Sequence, residues 1–174
     1  MTLYKYPVGA TSGEKWELVE EKVFAGGAQT YDITGLDGDA DGGYMFEAAT
    51  INDGGGYSDC TLRLNGATAI GHWQTVRYRN AVVTAASGST QNILLSSSTS
   101  ISVFFLTIPA SRTGDARGGF IFCHDGGTTI QNWLKSFEFT TPASGTNITS
   151  IGLTSNIANG LGVGTVMRVW KRAT

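Results

Sequence analysis

The chain has 174 residues, with 41% hydrophobic and only 15% charged side chains and a formal net charge of −2. That length fits one ordinary domain with a core of its own, and the apolar share excludes a disordered tail. The near-neutral balance, with basic residues scattered along the chain, excludes the cationic stripe that a nucleic-acid binder needs, and no apolar run is long enough to cross a bilayer as a helix.

Gly is abundant at 24 residues against 3 Pro. With dense Ser and Thr, this is the composition of many short strands joined by small-residue turns. In chain order, residues 1–14 are expected to form an extended N-terminal arm. Tyr4, Tyr6 and Pro7 in it are suited to lying on a neighbouring surface. The arm lacks the charged-then-apolar layout of a signal peptide, which points to synthesis in the cytoplasm. Residues 15–174 are then one β-sandwich domain.

Lys15–Phe24 fits two periods. Trp16, Val19, Val23 and Phe24 share a helical face, whereas Glu17, Val19, Glu21 and Val23 alternate as in a strand. Composition favours the strand. Further strands are predicted at Thr30–Thr34, Tyr44–Ile51, Cys60–Leu64, Gln74–Val83, Ile101–Ile108, Gly119–His124, Trp133–Thr140, Asn147–Leu153 and Thr165–Lys171. Clusters such as Asn52–Gly56, Asn65-Gly66, Ser87-Gly88-Ser89 and Asp125-Gly126-Gly127 separate them. Strands this short and this regularly spaced predict an all-β, antiparallel fold, whether β-sandwich, jelly roll or barrel.

Ile101–Ile108 is apolar on both faces, as expected of a central strand or of one at a subunit contact. Val103 and Phe105 are its candidate interface residues. Trp133, Phe137 and Phe139 fall on one face of their strand and Leu134, Ser136 and Glu138 on the other.

The search for chemistry finds little. In Cys123-His124-Asp125, consecutive strand residues point to opposite faces and cannot converge as a nucleophile and its base. The 14 acidic residues sit in turns and on charged strand faces, with no pair placed as a glycosidase requires. No phosphate-cradling loop opens a helix. Cys60 and Cys123 read as buried thiols, with a single disulfide as the alternative. The expectation is a non-enzymatic protein.

The stretch Gly35–Tyr44, GLDGDADGGY, begins like a calcium loop. Asp37, Asp39 and Asp41 occupy the first, third and fifth positions and Gly42 the sixth. The twelfth position holds Ala48, with Glu47 one residue early, and the flanks read as strands. Two readings stand: a hairpin turn built on Asp-Gly steps, or a structural calcium site at Asp37, Asp39 and Asp41.

This stretch, preceded by Trp16–Val19 and Ile33-Thr34, and the ending Asn147–Asn156 with Ile157–Arg172, together resemble small virion accessory proteins of tailed bacteriophages. Those proteins pair a similar acidic turn with a similar ending. The resemblance spans residues 16–172 and is distinctive at its two ends; Asn52–Gly145 carries none of it. It implies a jelly-roll-like protein of the particle, made in the bacterial host cytoplasm and resident in the virion. The first expectation is a capsid decoration (cement) protein, a homotrimer that clasps the major capsid protein with its arm and subunit contacts, with no nucleic-acid or membrane partner. The second is a tail fibre or baseplate component that stacks host glycans on Tyr57, Trp73, Tyr78 and Trp133.

Overall fold

The computed structural model describes residues 15–68, 70–79, 82–92, 94–98, 101–109, 117–125, 131–141 and 147–173. The expected arm, with Tyr4, Tyr6 and Pro7, lies outside the described residues. The described chain contains thirteen strands and no helix. They are β1 (Trp16–Val23), β2 (Thr30–Thr34), β3 (Gly43–Ile51), β4 (Ser58–Leu64), β5 (Ala67–Thr68), β6 (Ile70–Arg79), β7 (Val82–Asn92), β8 (Leu94–Ser98), β9 (Ile101–Pro109), β10 (Arg117–Asp125), β11 (Gln131–Thr141), β12 (Ser150–Ser155) and β13 (Val166–Arg172).

All pairings are antiparallel. A large sheet runs β1-β13-β3-β9-β10-β11-β6-β7, and a small one β2-β12-β4-β5, with β8 also on β4. The pairs β1–β13, β2–β12, β3–β9 and β4–β8 are nested one inside the next. They form one long ribbon rolled into two layers, an order compatible with a jelly roll. Two insertions interrupt the ribbon: β5 to β7 between β4 and β8, and β10 to β11 between β9 and β12. β6, β7, β10 and β11 add to the large sheet, so its half beyond β9 is made of inserted strands, while β5 pairs with β4 in the small one.

Alternation builds the core. Tyr44, Phe46 and Ala48 of β3, Leu106 and Ile108 of β9, Ile121 and Cys123 of β10, and Met167 and Val169 of β13 face inward from the large sheet. Ile33, Leu62, Leu64, Ile151 and Leu153 meet them from the small one. Hydroxyls at the edge of the core are paired: the Thr50 hydroxyl donates to the Ser102 carbonyl at 3.3 Å, and Ser58 and Ser155 bond each other at 2.9 Å. No disulfide joins the two cysteines, which are both buried, Cys60 in the small sheet and Cys123 in the large.

The predicted strands at Thr30–Thr34, Tyr44–Ile51 and Ile101–Ile108 match β2, β3 and β9 closely. Gln74–Val83 does not: β6 ends at Arg79, and Val83 belongs to β7. Ser87-Gly88-Ser89, expected as a loop, lies inside β7. The acidic stretch is not a hairpin between paired neighbours. β2 pairs with β12 and β3 with β13 and β9, so this turn carries the chain from one layer to the other. Asn65-Gly66 is a tight hairpin turn with both residues at positive φ, 53° and 75°.

The outer face of the small sheet is polar. Thr30, Thr154 and Thr61 lie in one cross-strand row, and Asp32, Gly152 and Arg63 in the next. Arg63 reaches over Gly152 to Asp32 with a two-pronged ion pair, Nε to Oδ1 at 3.0 Å and Nη2 to Oδ2 at 3.1 Å. A Cβ on Gly152 would collide with the Tyr31 carbonyl and with Asp32. Gly152→Ala is therefore expected to lower unfolding free energy by about 1–3 kcal/mol in urea denaturation, the usual cost of overpacking.

Candidate interaction surface

The outer face of the large sheet has the opposite character. Of the large apolar side chains that the described residues leave exposed, Trp16, Leu18 and Val23 of β1, Val103 of β9, Phe120 and Phe122 of β10 and Leu134 of β11 all lie on it. The other two, Tyr57 and Val163, are on loops. Phe120 is 60% exposed, Phe122 52%, Leu134 55% and Val103 39%, values that belong to surface groups.

Register places them side by side. One cross-strand row reads Glu21, Arg168, Glu47, Phe105, Phe122, Leu134, Val76 and Ala85 from β1 to β7. Its first part is ionic. Arg168 bonds Glu21 through Nε and approaches Glu47 at 3.5 Å, one cation shared between two carboxylates. From Phe105, which is half-buried, the row turns apolar. Phe120 pairs in register with Thr107 and Ser136, and Val103 with His124 and Ala49, on either side. The result is an apolar field over β9, β10 and β11, flanked by the ion-paired Glu21, Arg168 and Glu47. Exposed apolar surface of this continuity marks a contact region.

Of the residues singled out from the sequence, Val103 and Phe105 lie in this field. Phe120, Phe122 and Leu134 complete it and were not singled out. Their signal was present: Phe120 and Phe122 alternate with the equally apolar Ile121 and Cys123, a strand with two apolar faces. Tyr57 is exposed on the loop before β4. Trp73, Tyr78 and Trp133 occupy positions in β6 and β11, and their side chains lie outside the description. Cys123 is buried on the inner face and His124 is on the outer face, so the pair does not converge.

The acidic turn is closed by donors from the protein itself. The Asp37 carboxylate accepts from the Asn147 side-chain amide at 3.0 Å and from the backbone N–H of Asp39 and of Ala40 at 3.2 and 3.3 Å. The Asp41 carboxylate accepts from the Tyr44 hydroxyl at 2.7 Å and from the Asp37 N–H at 3.1 Å, with Lys171 Nζ at 3.4 Å. Among the described residues, no group of three or more His, Cys, Asp or Glu side chains is arranged to hold a metal ion. Calcium added to the purified protein is expected to leave its melting temperature unmoved, because an ion stabilises only a state that binds it.

Two tyrosines are tied to carboxylates. Burial, reinforced by the bond to Asp41, pushes the Tyr44 hydroxyl far above its ordinary value. Tyr31 donates to Glu20 at 2.6 Å, and this bond, with burial second, raises its pKa from 10.0 to about 12. Between those values the folded state holds a proton that the unfolded state has released. The stabilisation is complete below pH 10.0 and is lost as pH rises to about 12. Stability measured across that alkaline range should fall, and the fall should be shallower in Tyr31→Phe.

No family model matches the chain, and no curated protein matches its sequence.

Proposed function

We propose that the protein is a non-enzymatic structural component of a tailed-phage particle, a decoration protein that stabilises the shell by covering it. The observation that carries this reading is the contrast between the two outer faces. The small sheet presents threonines and an ion pair, as a solvent-facing layer does. The large sheet presents Phe120, Phe122, Leu134 and Val103. Covering side chains that are about half exposed is worth about 1 kcal/mol each, and several together favour a partner with a matching apolar surface. The resemblance of the acidic turn and the C-terminal ending to phage virion proteins supplies the partner, the major capsid protein. Copies grouped as trimers at local three-fold positions, with residues 1–14 as clasps, complete the reading.

One observation favours a tail location instead. Tyr57 is exposed beside a glycine-rich loop, where an aromatic ring can stack on a sugar. Binding of host glycans by the isolated protein would support that reading.

Shells stripped of the protein should capture it in co-sedimentation. Phe122→Ser should weaken capture by about tenfold or more while leaving the fold intact, since the side chain already faces solvent. Equal capture of wild type and variant, or glycan binding without shell binding, would contradict the decoration reading.

A further inference from the structure

The two edges of the large sheet are not alike. β1 carries Glu17, Glu20, Glu21 and Lys22, and its register breaks between Leu18 and Glu20. Charges and a bulge are the usual means by which an edge strand is kept from pairing with another chain. β7, at the other edge, reads Val-Val-Thr-Ala-Ala-Ser-Gly-Ser-Thr-Gln-Asn, with no charged residue and no proline. Its register against β6 breaks only between Gly88 and Gln91, leaving Val82–Gly88 as seven residues in unbroken pairing. That segment spans about 23 Å. Its outer edge pairs with no described strand, and Ser87 within it is exposed.

We infer that β7 is a self-association edge: Val82–Gly88 of one copy pairs antiparallel with the same segment of a second copy, about a two-fold axis at Ala85. The sequence suits pairing with itself. Centred on Ala85, Val82 stands opposite Gly88, Val83 opposite Ser87, and Thr84 opposite Ala86. No position opposes two like charges or two large side chains. The same operation on β1 would bring its glutamates together, so the pairing selects β7. The large sheets of the two copies then run on as one, and the contact is isologous. The inference goes beyond the decoration reading and does not depend on it: where that reading also holds, the β7 contact joins two trimers across a two-fold axis.

The test is particle mass by sedimentation equilibrium for wild type, Ala85→Lys, Ala85→Glu and an equimolar mixture of the two variants. Register places Ala85 in the Leu134–Val76 row, on the edge strand of the large sheet. Each variant alone opposes like charges across the axis and should show half the wild-type mass. The mixture, opposing Lys to Glu, should restore it. Strand content by circular dichroism should be the same in all samples. Wild type and Ala85→Lys of equal mass, or a mixture that stays at half mass, would overturn the inference. So would halving by Phe122→Ser with Ala85→Lys unchanged, which would move the contact to the sheet face.

Discussion

Everything in this fold depends on one apolar layer held between two sheets. Phe46, Leu106, Ile121 and Met167 on one side and Leu62, Leu64, Ile151 and Leu153 on the other are fully excluded from water. The nested pairing of β1 with β13, β2 with β12, β3 with β9 and β4 with β8 brings strands far apart in sequence into that layer. Side chains of strands alternate between faces, so fixing the inner face also fixes what the outer faces present. The outer surfaces of the two sheets are thus a consequence of the core register.

The two insertions give the molecule its asymmetry. Without β5 to β7 and β10 to β11, the nested ribbon would be two four-stranded layers of similar width. With them, the large sheet extends through β10, β11, β6 and β7. The inserted strands supply Phe120, Phe122 and Leu134 on the outer face and the uncharged β7 at the rim. The stretch Asn52–Gly145 contains both insertions.

Much of the strand pattern was legible in the sequence, because period-two alternation bounded by Gly, Asn and Asp is a local signal. β2, β3 and β9 follow it closely. β7 was not legible. Its Ser-Gly-Ser centre has turn chemistry, and only pairing with β6 holds it extended, a tertiary effect that local propensity does not carry. The GLDGDADGGY stretch was legible as a turn but not as a crossing between layers, since turn residues do not state which strands pair. At the surface, alternation separated Phe120 and Phe122 from Ile121 and Cys123 without stating which pair faces the core. That choice is made by the packing of the two layers, which takes Ile121 and Cys123 into the common core.

The proposed contact with the particle is the apolar outer face of the large sheet. Hydroxyl-radical footprinting of free and particle-bound protein, read by mass spectrometry at single residues, tests it most directly. Oxidation of Phe120, Phe122 and Leu134 should fall on binding, while Tyr57 stays as reactive as in the free protein. Unchanged oxidation of the three with protection of Tyr57 would contradict the claim and place the contact on the loop side of the sandwich.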